Sequence, residues 1–194
     1  MDVILFDTET TGLLKPNAAP LSQQPYITEI FMLRVTQEGK QVVSSGQTVY
    51  STLVKPPIPI PAEVIEITGI TDDMVKDAPA FADIYPELAR FCLGAERWVA
   101  HNLAFDKGML LAELGRVSKR ANFPWPLEDF CTVENSMHLS KKLRNDGTPK
   151  YMKLTELHEL ATGKPHDQGA HRAQADVLAL MRCYRWLLEQ GNGH

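Results

Sequence analysis

Four apolar residues, Val3 to Phe6, run straight into Asp7-Thr8-Glu9. No other stretch constrains the fold as tightly. A short apolar run closed off by Gly12 predicts a buried strand over residues 2–7. Side chains alternate faces along a strand, so Asp7 and Glu9 project to one side. Two like charges held side by side at the end of a buried strand are costly unless a cation lies between them. The pair is a candidate metal site; turn chemistry at a solvated edge is the ordinary alternative.

The chain around it alternates in pattern. Residues 15–25 are a loop rich in Pro, Asn, Ser and Gln, followed by β-rich runs over 26–35 and 41–54 with a turn at Gln37-Glu38-Gly39-Lys40. The first three strands therefore predict an antiparallel meander. Residues 55–61 (KPPIPIP) cannot pair in mid-sheet. A short helix over 61–67 stops at Gly69, and Thr71 caps another. Apolar positions Phe81, Ile84, Leu88, Phe91 and Cys92 keep a helical period, with Pro86 either kinking that helix or delaying its start. A strand over 97–100 precedes a helix over 103–114 closed by Gly115. Residues 116–130 look irregular, 133–143 and 154–161 helical, 145–149 a turn, and 164–169 a polar loop before a final helix over 172–190. Strands first, then a strand alternating with helices, predict a single α/β domain over 1–194 with a mixed sheet.

Length and composition agree with that. A chain of 194 residues can bury a sizeable core, and 44% apolar with 23% charged residues is neither a disordered nor a membrane composition. The N-terminal apolar run is too short for a signal peptide or a membrane span. Cys92, Cys131 and Cys183 are scattered, which predicts reduced, packed thiols in a cytoplasmic protein. A net charge of −4 argues against broad coating of nucleic acid, but not against gripping a few nucleotides through bound ions. Lys119-Arg120 and Lys141-Lys142-Leu143-Arg144 are basic runs that phosphates could contact, although a solvated face is their ordinary reading.

Two further acids sit where acids are unusual. In the last helix Asp176 lies three after Ala173 and four before Leu180, at the edge of an apolar face. In the helix from Leu103, Asp106 lies three after Leu103 and four before Leu110. Either could merely favour its helix N-terminus. Together with Asp7 and Glu9 they form one candidate anionic cluster of oxygen ligands, the set hard cations require. His171 lies five residues before Asp176, about 500° away on a helix, so it is expected in the loop ahead of the helix. No Gly-x-Gly-x-x-Gly, phosphate-loop or nucleophile-elbow motif is present. An aspartyl phosphatase of the haloacid dehalogenase type remains a rival, since Asp7, Glu9 and Thr11 nearly fit its D-x-D-x-T pattern.

Three segments, FDTETTG at 6–12, HNLAFD at 101–106 and HRAQAD at 171–176, resemble the exonuclease motifs of the DnaQ-like (DEDDh) 3′–5′ exonucleases. ITEI at 27–30 and ITGITDDMV at 67–75 are also similar to stretches of that family. The resemblance implies a ribonuclease H-like fold, with a mixed five-stranded sheet of three antiparallel strands and parallel additions, flanked by helices. It implies that Asp7, Glu9, Asp106 and Asp176 bind two Mg²⁺ or Mn²⁺ ions and that His171 is the general base. Thr8, Thr10, Gly12, Leu13, His101, Asn102 and Phe105 would hold the terminal nucleotides, Leu13 as an apolar wedge. The implied activity is release of nucleoside 5′-monophosphates from nucleic acid 3′ ends, single-stranded DNA favoured, with RNA as the alternative substrate. No polymerase-tethering tail follows the last helix, so a stand-alone nuclease is expected.

Overall fold

The apolar run at the N-terminus becomes the central strand of a five-stranded sheet. The computed structural model describes residues 1–16, 19–166 and 172–191. Strand β1 (Asp2–Thr10) pairs antiparallel with β2 (Ile27–Glu38), which pairs antiparallel with β3 (Gln41–Leu53). The β2–β3 turn falls where the sequence predicts it, with Gly39 at φ +58°. Helices α1 (Ala62–Thr68), α2 (Asp72–Val75) and α3 (Phe81–Cys92) then lead to β4 (Arg97–Ala100), which lies parallel to β1. Helix α4 (Leu103–Arg116) crosses to β5 (Glu128–Cys131), parallel to β4, and the strand order is β3-β2-β1-β4-β5. The chain continues through α5 (Thr132–Ser136), α6 (Leu154–Thr162) and α7 (Ala173–Glu189).

The run Val3–Phe6 is apolar at every position because both faces of β1 are covered. Ile4 and Phe6 pack under α3 and α4, with the Phe6 and Trp98 rings edge-on at 4.3 Å. Val3 and Leu5 pack under α7, against Val177, Leu180, Tyr184 and Leu187. Burial of each such side chain contributes about 1.5–3 kcal/mol. Asp7 and Glu9 continue the α7 side of the strand, whereas Thr8 and Thr10 continue the α4 side.

Several boundaries differ from the sequence reading. Strand β1 runs on to Thr10, so both acids sit within the paired strand; Glu9 faces Glu29 across the ladder, and the register shifts immediately after it. Residues 128–130, the end of a stretch expected to be irregular, belong to β5. Four residues with only Phe130 and Cys131 buried are too short to show a period of two. Helix α3 starts at Phe81 and carries Pro86 inside it. Gly115 lies within α4 rather than closing it: a Cβ there would stand 2.6 Å from Nη2 of Arg120, whose Nε donates to the Leu111 carbonyl at 2.7 Å. The helix expected over 133–143 is only α5 and one further 3-10 turn, Met137–Leu139, beyond which an exposed hairpin begins. All three cysteines are free and buried. Among the described residues no helix is long and apolar enough to cross a membrane.

Candidate metal centre and active site

Strand β1 and the first turn of α7 bring three carboxylates together. Asp7, Glu9 and Asp176 each offer an oxygen, and these oxygens lie within 4.8 Å of one another. The juxtaposition follows from the two patterns already described. Asp7 and Glu9 face the α7 layer, and Asp176 leaves the edge of the buried stripe of Ala173, Val177 and Leu180 that docks α7 on that layer. Asp106 arrives from the opposite layer. It is 2% exposed, and its Oδ1 accepts from the Thr8 backbone N–H at 3.0 Å and from Thr8 Oγ1 at 2.8 Å.

The electrostatics of the four acids are mutually unfavourable without a cation. Burial, then Asp106, Glu9, Asp176 and Glu29, hold the Asp7 carboxyl well above the usual range. Burial and the charges of Asp176, Glu29 and Asp106 push Glu9 up to about 8, with Arg172 acting in the opposite sense. Burial pushes Asp106 up to about 7 and Asp176 adds to this, against the two hydrogen bonds from Thr8. An all-oxygen, all-anionic donor set of this kind fits a hard divalent cation. It does not fit a soft metal, which would call for thiolate or thioether ligands.

The other candidate residues fall into two groups. Thr8, His101 and Phe105 are engaged by the protein itself. Thr8 holds Asp106. The His101 ring contacts Thr132 Oγ1 at 2.9 Å and the Met152 carbonyl at 3.1 Å, and burial pushes it down to about 4, so it is neutral near pH 7. Phe105 packs partly buried against the core. Asn102 starts α4 in the left-handed region, at φ 66°. Thr10 Oγ1 donates to the Gly12 carbonyl at 2.7 Å and tightens the turn after β1. There Leu13 is 79% exposed, while Leu14 lies against α4 at Gly108. His171 lies outside the described residues.

Three neighbours were not singled out from the sequence as site residues. His166 is buried, with Nε2 2.9 Å from Asp176 Oδ1. Glu29 on β2 accepts from Arg172 and from the Ala173 N–H at the start of α7. Only the similarity of ITEI to the family pointed at Glu29. Arg172 lies within the HRAQAD segment, whereas His166 stands in polar sequence with no periodic signal.

Comparison with known proteins identifies the family and the fold. The family model described as Exonuclease, of RNase T type, matches residues 4–184. The DNA polymerase III PolC-type of Bacillus subtilis (strain 168) is 35% identical over 191 residues, which is 97% of this chain and 12% of that protein. DNA polymerase III subunit epsilon of Treponema pallidum (strain Nichols) is 38% identical over 115 residues, 59% of this chain and 47% of that one. This chain thus spans only 12% of the length of the PolC-type relatives. Among solved structures, exonuclease X in complex with 5′ overhanging duplex DNA superposes with TM-score 0.61 at 22% identity, covering 99% of this chain and 93% of that one. A 3′-exonuclease that recognises the 3′ end of histone mRNA stem-loop gives 0.70 at 17% identity, covering 99% and 65%. Similarity at that level carries the fold, which is ribonuclease H-like.

Proposed function

The chain belongs to the DnaQ-like exonuclease family, and on that premise we propose that it is a metal-dependent 3′–5′ exonuclease releasing nucleoside 5′-monophosphates, single-stranded DNA favoured. The observation that carries the reading is the meeting of Asp7, Glu9 and Asp176 within 4.8 Å, with Asp106 held beside them by Thr8. These four acids would hold two Mg²⁺ or Mn²⁺ ions. When bound, such ions acidify water and neutralise charge on a phosphate. His171 acts as general base and removes the proton from the attacking water; a neutral imidazole is suited to this near pH 7. Water adds to the terminal phosphorus, the phosphodiester bond to the penultimate 3′-oxygen breaks, and that oxygen leaves, taking a proton from solvent while His171 returns its own to solvent.

The chain's own residues do the positioning. Leu13, apolar and exposed at the turn after β1, suits contact with the terminal base, which needs no base identity. Thr10, Gly12, His101, Asn102 and Phe105 frame the same end of the sheet. Among the solved relatives, one is described with DNA and one with RNA, so the sugar is the open variable. Family membership removes the ground for the aspartyl phosphatase reading.

The test is degradation of 5′-labelled DNA and RNA oligonucleotides of the same sequence, with Mg²⁺ and with EDTA. A metal-dependent ladder shortening from the 3′ end, faster on single-stranded DNA, is expected. Absence of shortening in both Mg²⁺ and Mn²⁺ would overturn the proposal. Asp7→Ala should abolish the ladder, and His171→Ala should slow it at least about a hundredfold.

A further inference from the structure

The chain is acidic overall, yet one exposed element is strongly basic. Residues 141–151 are all exposed, and between 140 and 153 stand Lys141, Lys142, Arg144, Lys150 and Lys153 against the single acid Asp146. This segment is built as a hairpin rather than left as a loose run. Leu143 and Pro149 pair as an antiparallel bridge, Lys150 N–H donates to the Lys142 carbonyl at 2.8 Å, and Arg144 N–H donates to the Thr148 carbonyl at 2.8 Å. Asp146 Oδ1 is directed into the turn, accepting from Thr148 N–H at 2.9 Å and Oγ1 at 2.6 Å. Among the described residues, only Lys142 of the five cations meets a carboxylate, that of Glu156, and it anchors the hairpin to α6.

The base of the hairpin lies at the end of the sheet that carries the acids. Its returning limb passes through Tyr151, 49% exposed, to buried Met152. The Met152 carbonyl contacts the His101 ring at 3.1 Å, and His101 directly follows β4, whose Val99 pairs in parallel with Leu5, two residues before Asp7. An anionic strand brought to the site must approach four carboxylates. Fixed cations beside the mouth of the site offset that repulsion, and an exposed aromatic ring among them offers a face on which a base can stack.

We propose that this hairpin is a binding arm for the nucleic acid strand on the 5′ side of the terminal nucleotides. Lys141, Arg144 and Lys150 contact its phosphates and Tyr151 stacks on a base. The inference deepens the exonuclease reading and rests on it for the identity of the strand. The arm acts on strands long enough to leave the site, so it sets affinity and processivity rather than the chemical step.

The test compares wild type with a variant carrying Lys141→Ser, Arg144→Ser and Lys150→Ser, which leaves the Lys142–Glu156 anchor intact. Binding is read by fluorescence anisotropy of a labelled oligothymidylate of about twenty nucleotides, over a salt series with EDTA present. Turnover is read in Mg²⁺ on the same oligonucleotide and on the p-nitrophenyl ester of thymidine 5′-monophosphate. The variant should weaken oligonucleotide binding about tenfold or more and flatten the slope of log affinity against log salt by about 2, since each single-strand phosphate contact contributes about 0.7. KM on the oligonucleotide should rise with kcat retained, and ester turnover should not change. Tyr151→Ala should weaken binding about fivefold or more without changing the slope. Replacing Lys141 and Lys150 by Arg should restore wild-type behaviour.

An unchanged affinity and slope would overturn the proposal. So would equal losses on the long and the small substrate, or displacement of the oligonucleotide by polyglutamate of matched charge. If wild type bound the oligonucleotide through the hairpin but hydrolysed neither substrate, the exonuclease reading would fail while the arm stood.

Discussion

Arg172 grips Glu29 across the sheet, with Nη2 2.7 Å from Oε1 and Nε 3.0 Å from Oε2, while the N–H of Ala173 donates to Oε2 at 3.1 Å. One carboxylate on β2 thereby satisfies an open N–H at the start of α7 and fixes the residue preceding that helix. Asp176 is one turn further on, so the clamp sets where that acid meets Asp7 and Glu9. Glu29→Gln keeps the shape and weakens the ion pair. It should lower kcat about tenfold and destabilise the fold by about 1–2 kcal/mol, a value reduced because Arg172 is part-exposed. Steady-state kinetics together with urea unfolding measure both; unchanged kcat would mean that α7 is placed without the clamp.

Thr8 serves Asp106 through both its backbone N–H and its hydroxyl. Thr8→Val removes only the hydroxyl contact. Groups that orient a metal ligand typically matter about 10- to 100-fold in ion affinity or activity. The Mg²⁺ concentration giving half-maximal rate should therefore rise by about tenfold, a shift visible in a metal titration of the nuclease rate.

The acid cluster trades stability for function. Asp7→Asn removes a charge that burial disfavours most, with Asp106, Glu9, Asp176 and Glu29 adding to it. In EDTA at pH 8 this variant should melt about 2–4 °C above wild type, the shift that about 1 kcal/mol produces in a chain of this size. It should also have no nuclease activity. Calorimetry of both proteins in EDTA decides; a lower melting temperature for the variant would show that Asp7 is not under repulsion.

Glu9 near 8 and Asp106 near 7 in the folded chain, against ordinary values of 4.5 and 3.8, fix the direction of a pH effect. Between those limits the folded protein retains protons that the unfolded chain has released. Stability of the metal-free protein is therefore greatest below about pH 4 as far as these groups are concerned. It declines as pH rises and is lost through about pH 7–8. Ion binding by these acids would reverse the trend, because ligands must be deprotonated and ions compete with protons. Thermal melts in EDTA at rising pH should show a falling Tm, and Mg²⁺ or Mn²⁺ should restore it most at the alkaline end.

What could be read without coordinates was whatever leaves a local signature. The continuous run Val3–Phe6 marks a strand covered on both faces. The three-and-four spacing of Asp106 and Asp176 on apolar helical stripes places each beside the core, and the alternation of Asp7 and Glu9 gives them one face. Strand β5 escaped notice because four residues are too few for a pattern. The expected helix over 133–143 gave way to a hairpin because Ser140 Oγ bonds the Lys150 carbonyl and Arg144 pairs with Thr148, contacts that helical periodicity does not encode.

The sequence by itself determined the candidate acids, their faces and the family whose motifs they resemble, since spacing within a strand or helix is set by backbone geometry alone. Only the tertiary structure decided which groups contact those acids. Thr8 reaches Asp106 across 98 residues, Glu29 reaches Arg172 across 143, and His166 contacts Asp176 ten residues on. Such pairings depend on how the layers stack on the sheet, and stacking is a property of the packed core as a whole.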